Sequence, residues 1–278
     1  MRTRLISIVL LAMVLGGCGG PLSEKQLAAL EDLPVAERVQ RLEALMAKHP
    51  DDERLPNLLG SARWQLYEPL EPQARVETVK GDLRADPENA VISKLLGDAF
   101  YDLAMAGQGS GYLDSALFAY ENAALKAPRY LAAVGSVGAL YDEKEDYEQA
   151  VTWYEQALAI DPLDVTTLCN IGASHYNQGH YDVAVDYYRQ ALALDPDSQD
   201  AHYNLGVAFA EANIYREAIS EWRAVVAIDS TTAVALQAAK NADLLEDVLQ
   251  ETIYRHGRKS RRLRLEDSAG GRGQPGDD

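Results

Sequence analysis

The stretch Leu131–Thr232 is one phrase written three times: LAAVGSVGALYDEKEDYEQAVTWYEQALAIDPLD over 131–164, VTTLCNIGASHYNQGHYDVAVDYYRQALALDPDS over 165–198 and QDAHYNLGVAFAEANIYREAISEWRAVVAIDSTT over 199–232. Aligned at a step of 34 residues, Pro162, Pro196 and Ser230 share a column that Pro128 continues upstream. Gly138, Gly172 and Gly206 fill a second column, Ala150, Ala184 and Ala218 a third, and Tyr154, Tyr188 and Trp222 a fourth. Tyr147, Tyr181 and Tyr215 supply a mid-repeat aromatic. Such a period means supersecondary units that bury their apolar faces only by stacking on one another, and the spacing predicts a helical hairpin for each.

Each column has a packing reason. Glycine removes the side chain where the first helix of a hairpin lies against the second, and the alanines let the second helix approach to the short end of the usual interaxial range. Gly179 and Asn213 fall between the helices, where a left-handed residue ends the first one; Glu145 holds that place in the earlier copy at some strain. Pro162 and Pro196 end the second helix, because proline lacks a donor and pushes the preceding Asp161 and Asp195 out of the α region. In this order the columns resemble the signature of the tetratricopeptide repeat (TPR). The resemblance implies an all-α fold, a solenoid of stacked antiparallel helix pairs with a C-terminal capping helix, and a surface that binds other proteins.

Outside 131–232 the pattern weakens by degrees. Residues 90–130 form a full repeat, with Gly97, Phe100, Ala116, Tyr120, Ala123 and Pro128 in column, but seven residues too long. The surplus is placed at Gly107-Gln108-Gly109-Ser110-Gly111, read as a flexible loop, either merely tolerated or touching a partner; no Gly-Lys-Ser/Thr follows that would make it a phosphate cradle. Residues 53–89 keep Leu59-Gly60 but put Arg75 and Asp82 in the two alanine columns, with Pro69 and Pro72 in the turn. That degenerate repeat suits an N-terminal cap, since a terminal repeat turns one face to solvent. Within 18–52, helices are expected over Ser23–Leu30 and Val35–Lys48. At the other end, residues 233–254 carry Leu236, Leu244, Leu245, Val248, Leu249 and Ile253 as the apolar stripe of the capping helix. Residues 255–278 read as a tail, first basic, then Gly-, Asp- and Pro-rich and disordered. The six cations within Arg255–Arg264 are either a solvated helix end that suits the macrodipole or a contact for anionic lipid or an acidic partner. Because repeats add without a central core, one elongated domain is expected.

Residues 1–17 read as a removable signal: Arg2 and Arg4 precede the apolar run Leu5–Leu15, which is too short to span a bilayer as a helix. Leu15-Gly16-Gly17-Cys18 resembles the bacterial lipobox, which implies a lipidated Cys18 as first residue and, with Gly19 and not aspartate following, lodging in the outer membrane facing the periplasm. The alternative is an ordinary secretory signal with an incidental cysteine.

Composition narrows function further. With 26 basic against 43 acidic residues, a net charge of -17, the chain lacks the electrostatic footprint of a nucleic-acid binder. Two cysteines give no disulfide framework. In the TPR family the first helices line a concave groove, and the resemblance carries the binding positions onto helix residues two, five, six, nine, twelve and thirteen. These are Ala132, Gly135, Ser136, Ala139, Asp142 and Glu143, then Thr166, Cys169, Asn170, Ala173, Tyr176 and Asn177, then Asp200, Tyr203, Asn204, Val207, Ala210 and Glu211. Asn170 and Asn204 are equivalent one repeat apart; their amides either pair with the backbone of an extended bound segment or hydrogen-bond the neighbouring helix. No Lys or Arg stands in these columns to clamp a terminal carboxylate. Cys169, His175 and His202 are in register with the repeat and read as packing residues, and the spacing of His175 and His180 misses the one-turn step of a metal pair. The expectation is therefore a protein-binding scaffold without catalytic residue, metal or cofactor. Its partners would be other envelope proteins or peptide segments, and it would meet a membrane through lipid on Cys18. An envelope hydrolase or transferase decorated with TPRs, or a cytosolic TPR adaptor, are the alternatives.

Overall fold

The computed structural model describes residues 22–109 and 111–270; the signal segment, Cys18, Ser110 and residues 271–278 lie outside it. Among the described residues there are thirteen helices and no strand, so the fold is all-α, built from antiparallel helix pairs. The chain divides between Pro162 and Leu163 into two compact units, where the sequence reading counts one. In a repeat array each hairpin touches only its neighbours, so any junction between repeats can serve as a seam.

The first unit holds α1 (Glu24–Glu31), α2 (Val35–Lys48), α3 (Arg54–Tyr67), α4 (Pro72–Ala85), α5 (Ala90–Met105), α6 (Gly111–Lys126), α7 (Leu131–Glu143) and α8 (Tyr147–Ile160). The second holds α9 (Val165–Asn177), α10 (Tyr181–Leu194), α11 (Gln199–Glu211), α12 (Tyr215–Ile228) and α13 (Ala233–Gly270). Short polar side chains open the helices: Asn89, Asp164 and Ser198 each accept a hydrogen bond from the backbone N–H three residues on, satisfying a donor the helix cannot. At the far ends Asp161 and Asp195 are extended, φ -128° and -130°, as the following prolines require. Glu145, Gly179 and Asn213 all have positive φ (60°, 81° and 61°), so the reversal inside each hairpin is made by one left-handed residue.

The glycine column has a more specific purpose than close helix approach. A Cβ built on Gly138 would lie 2.7 Å from the ring of Tyr154, one on Gly172 2.6 Å from Tyr188, and one on Gly206 2.6 Å from Trp222 Nε1. Each first helix is thus the seat of the aromatic ring from its own second helix, with Gly97 and Tyr120 forming the same pair in α5 and α6. The buried polar atoms of these rings are met on the first helix: Tyr120 donates to Asp98 at 2.9 Å, Tyr154 to Asp142 at 3.0 Å, and Trp222 Nε1 to the Tyr203 carbonyl at 3.1 Å. Ala150, Ala184 and Ala218 are wholly buried beside them.

Two features differ from the sequence reading, and a third is explained by the structure. The surplus of residues 90–130 is not chiefly a loop: α5 and α6 have 16 residues each against 13 and 14 in α7 and α8, so most of it lengthens the helices. Phe100 and Tyr112 stack at 6.0 Å across the enlarged hairpin, giving the added length something to pack. The substituted alanine columns of the degenerate repeat are also accounted for. Arg75, 8% exposed, donates to the carbonyls of Tyr67 (3.2 Å), Glu68 (2.8 Å) and Leu70 (3.1 Å), pairs with Asp102 and lies over Trp64, so it caps the C-terminal end of α3. Tyr67 donates to Asp82. Finally α13 does not stop at Tyr254 but runs to Gly270: the basic run lies on helix, as the helix-end reading of its cations has it, and residues 266–270, expected to be disordered, are helical as well. Arg, Lys, Leu and Glu all favour helix, which composition read as disorder underestimates.

Candidate functional site

The candidate groove residues of the second unit lie on α9 and α11, which are adjacent, and α11 is also adjacent to α13. Thr166, Asn177, Asp200 and Glu211 are exposed; Asn170, Ala173, Tyr176, Tyr203, Asn204 and Val207 are half-buried. The two asparagines stand at equivalent places on neighbouring first helices, and among the described residues neither amide side chain has a hydrogen-bond partner. Tyr176 on α9 lies near Glu211 on α11; burial, then the Glu211 charge, raises its hydroxyl pKa. Its ring meets Tyr181 at 5.2 Å.

Other residues of the set are spoken for by packing. Cys169 is 6% exposed, and burial with the nearby Asp200 and Asp164 carboxylates pushes its thiol up to about 11. A thiol so placed stays protonated near neutral pH, the opposite of what a nucleophile requires. Tyr203 packs on Trp222 with centroids 6.5 Å apart, and its hydroxyl accepts a 3.4 Å hydrogen bond from Asn241. His202, outside the groove set, bridges Glu221 (2.6 Å) and the Pro196 carbonyl (3.0 Å), which uses both ring nitrogens to hold α11 against its surroundings. His175 stacks on Tyr187 at 5.7 Å. Among the described residues no cluster of His, Cys, Asp and Glu is arranged to hold a metal, and no helix is long and apolar enough to cross a membrane.

One part of the face escaped the sequence reading. Counting on from Val207, Ala210 and Glu211 by the same 34 residues gives Asn241, Leu244 and Leu245 of α13. These six, with Trp222, line one cleft of about 240 Å³. α13 therefore acts as the first helix of a further step and not only as a cap.

With the geometry established, comparison with known families is direct. A tetratricopeptide-repeat family model matches residues 169–231, and a second TPR model matches residues 138–179. Residues 138–231 of this chain carry tetratricopeptide repeats. Among solved structures, MamA (residue 41 to its end) from Desulfovibrio magneticus RS-1 is 17% identical with a TM-score of 0.52, over 66% of this chain and 98% of that one. A crystal structure of MamA is likewise 17% identical with a TM-score of 0.50, over 57% of this chain and 89% of that one. At that identity the likeness is one of fold. No curated protein matches the sequence. The signature columns of the TPRs are thus the hairpin core.

Proposed function

We propose that this chain is a non-enzymatic TPR scaffold, anchored by lipid on Cys18 to a bacterial envelope membrane, that holds an extended segment of another envelope protein along α9 and α11 while an envelope complex is assembled. The observation that carries the binding half is the pair Asn170 and Asn204: two half-buried amides, one repeat apart, without partners among the described residues. Both amides stay open to solvent and uncommitted to the hairpin, so each can offer a bound backbone a donor and an acceptor in exchange for water. The anchoring half, with the outer membrane facing the periplasm as its location, is supported by Leu15-Gly16-Gly17-Cys18 and Gly19 in the sequence. An acylated N-terminus with a diacylglycerol thioether exceeds the two signals that stable attachment takes.

The test is capture from membranes with the intact protein, identification of the captured chain, and titration of that chain against variants. Asn170→Ala with Asn204→Ala removes paired hydrogen bonds worth about 0.5–1.5 kcal/mol each, so affinity falls by roughly tenfold or more. Deleting Arg255–Asp278 leaves that binding intact. Normal binding by the double variant with none by the truncation would move recognition to the basic run and end the groove reading. For the anchor, Cys18→Ser abolishes incorporation of labelled fatty acid and releases the protein from membranes; label retained by the variant refutes lipidation.

A further inference from the structure

We infer that the binding face takes a further step onto α13, and that the cleft between α11 and α13 receives one large apolar side chain of the bound segment with a Lys or Arg beside it. This deepens the scaffold reading and rests on it. The cleft, at about 240 Å³, falls below the ~300–1,000 Å³ of sites that enclose a drug-sized molecule, so it suits a single side chain dipping from a chain that passes over it. Its walls are mostly aliphatic, Val207 and Ala210 from one helix and Leu244 and Leu245 from the other, and the amide of Asn241 between them is engaged with Gln237 (2.9 Å) and the Tyr203 hydroxyl (3.4 Å). Its floor is Trp222, 4% exposed, whose one donor is already given to the Tyr203 carbonyl, so the ring asks for no polar partner. Leu244 is 64% exposed, an apolar wall standing in water.

Charge decides what lies beside the anchor. Glu211 lines the cleft and is exposed, and Asp200 is exposed on the same helix. Across the groove positions of α9, α11 and α13 there is no Lys or Arg; Lys240 falls at position eight, off those columns. Asp243 and Glu246 of α13 are paired with Arg223 of α12 at 2.6 and 3.1 Å, which leaves Glu211 as the carboxylate that lines the cleft, with Asp200 at the opposite end of α11. A carboxylate at the edge of an apolar socket is complementary to a cationic residue next to an apolar one.

The test is selection of phage-displayed random dodecapeptides on the detergent-solubilised full chain. Enriched peptides are expected to carry Leu, Ile, Met or Phe within two residues of Lys or Arg. A synthetic peptide from the leading clone should bind at least ten times more weakly to Leu244→Ser and to Glu211→Lys, and unchanged to Leu236→Ser, an exposed leucine of α13 that does not line the cleft. Because Leu244 and Glu211 are exposed, the variants should keep the wild-type circular dichroism. Peptides that lack the pattern, or that bind both cleft variants as well as wild type, overturn the inference. Loss in Asn170→Ala with Asn204→Ala but not in the cleft variants overturns it while leaving the scaffold reading in place. Failure to enrich any peptide, or indifference to all four substitutions, overturns both. A wild-type dimer in sedimentation that Leu244→Ser converts to monomer assigns the cleft to a second copy of the chain and also overturns it.

Discussion

Adding one methyl group at Gly172 tests the central device of the hairpin. The new Cβ would lie 2.6 Å from Cε1 of Tyr188, 2.9 Å from Cδ1 and 3.0 Å from Cζ. Carbon atoms prefer about 3.5–4.0 Å, so the ring has to retreat by close to an ångström. It has little room, being 2% exposed and packed among Ala184, Leu205 and Ala208. Overpacking of that kind costs about 1–3 kcal/mol, whereas replacing glycine by alanine inside a helix gains about 0.8–1.0 kcal/mol. The clash wins, and Gly172→Ala loses about 1 kcal/mol net. With a urea slope of about 2 kcal/mol/M, the midpoint falls by about 0.5 M. The decisive measurement is the same substitution in a Tyr188→Ala background. There the ring is gone and only the helix propensity is left, so Gly172→Ala should raise the midpoint by about 0.5 M. The sign reversal is the coupling between the two side chains, obtained without assigning an energy to either alone. Urea titrations followed by far-ultraviolet circular dichroism, analysed over the whole transition because repeat arrays depart from two-state behaviour, measure it. Equal effects of Gly172→Ala in both backgrounds would refute the seat.

Gly81 in α4 and Gly135 in α7 are the converse: nothing lies within 4 Å of a Cβ built on either, so Gly81→Ala and Gly135→Ala should each stabilise by about 0.4–1 kcal/mol, read as a higher urea midpoint. Arg75→Ala leaves three carbonyls at the end of α3 without their donor, while Asp102, 38% exposed, regains water, so a loss of about 1–3 kcal/mol in urea unfolding is expected; a loss under about 0.5 kcal/mol would show that the cap is unimportant. The Cys169 thiol, raised from 9.0 to about 11, should alkylate roughly a hundredfold more slowly at pH 8 in the folded chain than in urea. Because the folded state holds that proton more tightly, its contribution to stability is full below pH 9 and is lost as pH rises toward 11; Cys169→Ala should flatten that part of the profile, and an unchanged slope would contradict it.

The fold was legible because its constraints repeat and the sites of recognition do not. Helix pairing, the left-handed turn residues and the extended aspartates before Pro162 and Pro196 were all readable from columns, since each is a local backbone requirement that one residue type meets. What the glycines seat was not, because a ring sixteen residues away in Tyr154, Tyr188 or Trp222 is a tertiary neighbour that spacing alone does not point to. The degenerate repeat makes the same point. Gly60 survives there while its own second helix offers Val76, and the space is taken by the Tyr130 hydroxyl, 2.7 Å from where a Cβ would stand. A column can thus be kept for a partner outside its repeat. The α13 step is partly legible: residues 233–254 continue the repeat pattern without a second helix, but the groove columns Asn241, Leu244 and Leu245 gain meaning only when the structure sets them against Val207, Ala210 and Glu211. A solenoid's binding face needs only the first helix of each step, so the frame should be carried one helix beyond the last complete hairpin. Leu244 shows why this matters, for an exposed leucine read as one flank of a capping stripe becomes the wall of a cleft once Val207 and Ala210 are set opposite it.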